Sequence, residues 1–146
     1  MDILLVKPNG SEEKSTFENL LKLEEKTILY FYPKDNTSGC STQAIEFSEH
    51  LEEFRKKGIQ IIWVSKDSVK SHVWFIEKKG IKFPLISDTE LEIHNKYTTY
   101  CEKKMCGRTF MGTVRSTFLL DNKWEIIKEW RNVRAKGHIE KLLKEI

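Results

Sequence analysis

The sequence has no hydrophobic run long enough to cross a membrane. Its longest apolar stretches, residues 28–32 and 59–64, fall far short of the roughly 20 residues that a span requires. The opening Met1-Asp2-Ile3-Leu4-Leu5-Val6-Lys7 has an acidic second residue and too short an apolar run for a secretory signal. Proline and glycine are sparse, at three and seven, with no Ser/Gly/Pro tract and no repeat, so nothing marks a linker within the 146 residues. Cysteine is scarce and odd in number: three thiols without framework spacing do not make a disulfide-stapled secreted domain. Reduced thiols, a cytoplasmic location and one domain over residues 1–146 are expected, with enough chain to bury a core without staples.

Nor does either sign of charge dominate. The whole net charge of +3 is matched by residues 131–146, where Arg131, Arg134, Lys136, Lys141 and Lys144 face only Glu140 and Glu145. A basic binding module for nucleic acid is one reading of that segment. However, Ile139, Leu142, Leu143 and Ile146 form an apolar stripe, and the charges fall where a solvated helix face carries them. No aromatic-interleaved basic stripe accompanies them, so neither nucleic acid nor a membrane is expected as a partner.

What is present is an alternation of two periodicities. Residues 26–32 are nearly all apolar, β-branched or aromatic, as in a strand covered on both faces, and Pro33 ends the run. From residue 41 to 57, Ala44, Ile45, Phe47, Leu51 and Phe54 recur at helical spacing before Gly58. A second strand at 59–65, a helix at 68–79 ahead of Gly80, a short strand at 83–86 and a helix near 89–97 follow. Residues 116–127 read as two strands joined by a tight turn at Asp121-Asn122, and the basic helix closes the chain. This order predicts an α/β fold with a mixed central sheet and helices on both faces, similar to the thioredoxin fold. The first thirty residues carry the weakest pattern.

One stretch stands apart. In "FYPKDNTSGCST", residues 31–42, Cys40 falls where the strand pattern gives way to the helix pattern, at the sheet edge where open α/β proteins gather their sites. Unpaired amides and the positive end of a helix dipole favour an anion there, and a thiolate is the reactive form of cysteine. Thr37 stands three residues earlier, within reach of the sulfur or of a ligand oxygen, while Pro33 fixes the chain and shields the site. The alternative for Cys40 is a buried core cysteine beside ordinary helix-start residues.

The pattern Pro33-x-x-x-Thr37-x-x-Cys40 resembles the active-site signature of the peroxiredoxins. Together with "FPLISD" (83–88), "RSTFLLD" (115–121) and "KGHIEKLL" (136–143), the segment "FYPKDNTSGCSTQA" is similar to the bacterioferritin comigratory protein, or peroxiredoxin Q, subfamily over nearly the whole chain. The resemblance implies a thiol peroxidase acting on hydrogen peroxide and small organic hydroperoxides, without cofactor or metal. In that reading Cys40 is the peroxidatic cysteine, Thr37 holds the peroxide oxygens, Pro33 shields the thiolate and Arg115 polarises the peroxide. Gln43, on the first turn after Cys40, is a candidate for a hydrogen-bond network to Arg115. A monomer is implied, recycled by thioredoxin, glutaredoxin or a small thiol.

The sequence departs from that pattern at the second thiol. Many subfamily members carry a resolving cysteine five residues on, where this chain has Ile45, and others about 36 positions on, where it has Ile76. Cys101 and Cys106 remain, in the polar "YCEKKMCGRTFMG", read as a Gly-flanked loop leading to Arg115. An external thiol is favoured over either of them, and over a Cys101–Cys106 relay, as the resolving partner. Ser38 replaces a frequent proline and removes a restriction on Thr37. The chain begins at about the second strand of the family's opening hairpin, which leaves sheet-edge cover near residues 1–10 open. A thiol–disulfide oxidoreductase on the same fold is the rival enzyme, but no C-x-x-C pair is present. A zinc set drawn from Cys101, Cys106, His72 and His94 lacks paired-ligand spacing. His138 reads as a helix-start residue.

Overall fold

The computed structural model describes residues 1–105, 107–134 and 137–146. Its strands are β1 (Asp2–Val6), β2 (Glu12–Thr16), β3 (Lys26–Phe31), β4 (Ile59–Ser65), β5 (Leu85–Ser87), β6 (Tyr100–Met105), β7 (Arg108–Thr113), β8 (Ser116–Asp121) and β9 (Ile126–Trp130). Its helices are α1 (Phe17–Leu21), α2 (Ser38–Glu49), α3 (Leu51–Lys56), α4 (Val69–Lys79), α5 (Glu92–Lys96) and α6 (His138–Glu145). Seven strands form one mixed sheet in the order β2-β1-β5-β4-β3-β8-β9, parallel between β3, β4 and β5 and antiparallel elsewhere.

Side chains alternate across this sheet and divide the core in two. Ile28, Tyr30 and Tyr32 join Ile61 and Trp63 on one face, where Phe47, Phe54, Phe75, Ile139 and Leu142 from α2, α3, α4 and α6 cover them. Leu29 and Phe31 join Ile62 and Val64 on the other, under Phe17, Leu20 and Leu21 of α1 and Ile93 of α5. The apolar character of 26–32 follows from this double burial. The basic closing segment buries its Ile139 and Leu142 and leaves Lys141 and Lys144 exposed, so its stripe is a packing face.

Three expectations change. Residues 1–16 form a complete hairpin, with β1 between β2 and β5 and β2 as the sheet edge. The edge near residues 1–10 is therefore covered by strand pairing and not left open. The helix expected over 41–57 divides at His50, which takes φ −97° and ψ 9°, after which the amides of Glu53 and Phe54 both bond back to the His50 carbonyl. The turn after β8 spans four residues: the Asp121 carboxylate accepts from the amides of Lys123 and Glu125, and Trp124, not Asn122, takes the positive φ of 71°. Among the described residues no helix is long and apolar enough to cross a membrane.

His138 is the first residue of α6 and lies 4% exposed, with Nε2 2.6 Å from Thr117 Oγ1. Burial, seconded by Lys141 and Arg115, lowers its pKa from 6.5 to about 4. Between those values the unfolded chain binds a proton that the folded chain refuses, so folding loses stability as pH falls, by up to about 3 kcal/mol near pH 4. Urea unfolding across pH 7.5 to 4 should show a steeper loss in the wild type than in His138→Gln; parallel curves would contradict the assignment. Gly80 ends α4 with φ 62° and ψ 41° and donates to the Ile76 carbonyl, and a side chain there would meet nothing within 4 Å. Gly80→Ala should therefore cost about 1 kcal/mol by backbone strain alone, measured by thermal unfolding.

Candidate active site

The chain leaves β3 at Phe31 and reaches α2 through a six-residue segment, 32–37, that is fastened at its centre. The buried Asp35 carboxylate accepts from the Tyr32 hydroxyl at 2.6 Å and the Ser71 hydroxyl at 2.8 Å, and lies 2.7 Å from His72 Nδ1. The Asp35 amide donates to Asp67 Oδ2 at 2.8 Å, and that same oxygen accepts from Ser65. His72 Nε2 lies 3.0 Å from the Ile86 carbonyl, so both ring nitrogens face oxygen. Asn36 then turns the chain with a φ of 58°.

Thr37 caps α2. It is extended, at φ −85° and ψ 157°, although Ser38 and not proline follows it, because an N-cap requires that conformation. Its hydroxyl accepts from the Cys40 amide at 3.4 Å and donates to the Lys34 carbonyl at 3.4 Å. Both contacts are long, so the hydroxyl is held loosely. Cys40 falls on the third residue of the helix, fully buried, with a free thiol.

Arg115 arrives from the other side of β3. The antiparallel register pairs Phe31 with Ser116, which puts the residue before β8 beside the end of β3. Arg115 Nη2 lies 3.2 Å from Cys40 Sγ, and Nη1 donates to the Tyr30 hydroxyl at 2.7 Å. Burial opposes the charge on the half-buried guanidinium, but Tyr30 and Cys40 outweigh it and its pKa is raised. Burial pushes the Tyr30 phenol up, so it stays protonated at neutral pH. A cation and a helix N-terminus thus meet at one sulfur, an arrangement suited to a thiolate nucleophile and to negative charge developing beside it.

The structure brings Cys40, Thr37 and Arg115 together and places Pro33, half-buried, in the same loop. Gln43 does not make the expected link to Arg115: its amide is buried, with neither atom hydrogen-bonded among the described residues. The segment read as a polar loop is instead a two-stranded hairpin, β6 against β7, in which Cys101 opposes Gly112. Cys101 is half-buried, carries a free thiol and donates to the Thr98 carbonyl at 3.4 Å. Cys106 lies outside the described residues. Ile45 is 43% exposed on α2, whereas Ile76 is packed in the core. His72 and His94 belong to separate clusters, His94 with Asp88 and Thr113. Asp35, Asp67 and His72 have ligand atoms within 4.8 Å of one another, but their hydrogen bonds are made within the loop anchor. Tyr30 and Asp35 escaped the sequence reading, and His72 was weighed there only as a zinc ligand; the one available signal was tyrosine in a strand buried on both faces, whose hydroxyl needs a partner.

The sequence model of the AhpC/TSA family matches residues 5–129. Peroxiredoxin Bcp of Xanthomonas campestris is 43% identical over 116 residues, covering 80% of this chain and 72% of that protein. Peroxiredoxin Bcp of Bacillus subtilis is 42% identical over 116 residues, covering 80% and 74%. Among solved structures, the Xanthomonas campestris bacterioferritin comigratory protein, studied for its alkyl peroxide reduction activity, superposes with a TM-score of 0.88 at 36% identity over 99% of this chain and 88% of that one. A Xylella fastidiosa peroxiredoxin Q gives the same TM-score and identity, covering 99% and 86%. With its thioredoxin-like sheet and a helix-start cysteine, the chain belongs to the AhpC/TSA family and, within it, to the thiol-dependent peroxidases of the peroxiredoxin Bcp or Q type.

Proposed function

We propose that Cys40 is the peroxidatic thiol and that it reduces hydrogen peroxide and small alkyl hydroperoxides. The observation that carries this reading is the 3.2 Å approach of Arg115 Nη2 to Cys40 Sγ at the start of α2. The thiolate attacks one peroxide oxygen; an S–O bond forms as the O–O bond breaks. The sulfur gives up two electrons and becomes a sulfenic acid, while the departing oxygen takes a proton and leaves as water or an alcohol. Arg115 faces the charge that develops on the oxygens, and the loosely held Thr37 hydroxyl is free to turn toward the peroxide. Pro33 limits water at the mouth of the site.

An outside thiol completes the cycle. It attacks the sulfenic sulfur, an S–S bond to Cys40 forms and water leaves; a second reductant thiol then attacks that mixed disulfide, the reductant's own S–S bond forms, and Cys40 departs as the thiolate. This reading is supported by Ile at positions 45 and 76, which leaves no thiol at either place. Thioredoxin, glutaredoxin or a small thiol supplies the electrons, and a cytoplasmic monomer with reduced thiols is the form we assign.

Peroxide consumption driven by thioredoxin or dithiothreitol tests the roles together. Cys40→Ser should abolish turnover, Arg115→Ala should slow oxidation of Cys40 about a hundredfold, and Thr37→Val about tenfold. Cys101→Ser and Cys106→Ser should keep turnover, and intact mass after one equivalent of peroxide should show no Cys40 disulfide within the chain. Peroxide removal by Cys40→Ser at the wild-type rate would refute the assignment. A quantitative disulfide from Cys40 to Cys101 or Cys106 would refute the external resolving step alone.

A further inference from the structure

We propose that Tyr30 is a positioning residue for the peroxidase reaction, its hydroxyl fixing which edge of the Arg115 guanidinium faces Cys40. The inference rests on the reading of Cys40 as the peroxidatic thiol. A guanidinium is a planar fork, so holding one nitrogen aims the other. Here Nη1 donates to Tyr30 at 2.7 Å and Nη2 is left directed at the sulfur, 3.2 Å away. Among the described residues Arg115 forms no ion pair with a carboxylate. That choice of partner matters, because a carboxylate in the same place would orient the fork but neutralise the charge that a thiolate and a departing oxygen require. A neutral phenol orients it and leaves the charge intact.

Tyr30 is suited to this by rigidity. Its backbone is paired on both sides, opposite Trp63 of β4 and Thr117 of β8. Its ring is enclosed by Trp63 at 4.7 Å, Phe47 at 5.6 Å, His138 at 5.9 Å and Tyr32 at 6.4 Å between centroids. With the ring fixed and only two side-chain torsions to freeze, the hydroxyl is a stationary point against which a long, half-buried arginine is located. Burial keeps the phenol protonated.

Tyr30→Phe removes the hydroxyl and keeps the ring. In the full chain it should slow single-turnover oxidation of Cys40 by peroxide about tenfold and slow alkylation of Cys40 by iodoacetamide at pH 7, with thermal unfolding little changed. In an Arg115→Ala background the same substitution should cost less than about twofold, because the hydroxyl acts through the guanidinium. Wild-type oxidation and alkylation rates in Tyr30→Phe, or equal losses in both backgrounds, would overturn the proposal. If Tyr30→Phe does not fold, 3-fluorotyrosine introduced at position 30, a poorer acceptor of nearly the same shape, should give a smaller slowing, and an unchanged rate overturns the proposal again. Cys40→Ser run in parallel separates the two readings. If it retains turnover, the assignment of Cys40 fails and this proposal with it; an inert Tyr30→Phe beside a dead Cys40→Ser overturns this proposal alone.

Discussion

Strand β3 is buried on both faces and paired on both edges, and the reactive end of the molecule hangs from it. Its even-numbered Ile28 and Tyr30, continued by Tyr32 just past its end, enter one core and its odd-numbered Leu29 and Phe31 the other, so neither layer of helices can shift without disturbing it. Tyr30 reaches Arg115, Tyr32 reaches Asp35, and the strand runs directly into the loop that ends at Cys40. A seven-stranded sheet is a stiff frame, and placing the site on the prolongation of one of its inner strands confers that stiffness on a short irregular segment. Precise positioning is the main requirement of a site that works through aimed donors.

The loop itself has little regular hydrogen bonding, and such segments are ordinarily the mobile parts of a protein. Asp35 changes that. By gathering the Tyr32 and Ser71 hydroxyls and the His72 ring on its carboxylate, and by giving its amide to Asp67, it ties the loop to β3, to the end of β4 and to the start of α4 at once. These bonds lie in a region of low exposure, where polar groups left unpaired are costly and paired groups hold firmly. The Thr37 cap and Cys40 follow directly after this anchor in the chain and inherit their position from it.

Much of this was legible in the sequence, for identifiable reasons. β3 and β4 were visible because strands covered on both faces must be continuously apolar, and α4 because Gly80 stops it where the periodicity ends. Cys40 and Thr37 were visible as residue types at the spacing that a helix start imposes, whereas Arg115 was visible only through the resemblance of residues 115–121 to the family pattern. β2 was not, since an edge strand reading Glu-Glu-Lys-Ser-Thr buries little and has no apolar signature. The β6–β7 hairpin is hidden for the same reason: Glu102, Lys104 and Arg108 to Met111 are exposed, so no alternation marks it and the segment reads as a loop. The Asp35–His72 contact spans 37 residues and joins two polar side chains that a local reading places on separate surface turns. Long-range polar pairs of this kind leave no local pattern. The expected Gln43 link failed because residues on one helical turn share a face without sharing a partner.

Ile76 lies in the core of α4, at the position where some relatives keep their second thiol. With an aliphatic side chain there, α4 offers Cys40 no thiol with which to form a disulfide. On the reading of an outside reductant, the sulfenic acid at Cys40 then has a lifetime set by diffusion of that reductant and not by a chain rearrangement. During that lifetime a second peroxide competes for the same sulfur and drives it on to a sulfinic acid, a state that ordinary thiols do not reverse. The ratio of peroxide to reducing thiol, read at each turnover, thus becomes a dosimeter: the fraction of molecules retired by over-oxidation records how far oxidant supply has outrun the supply of electrons.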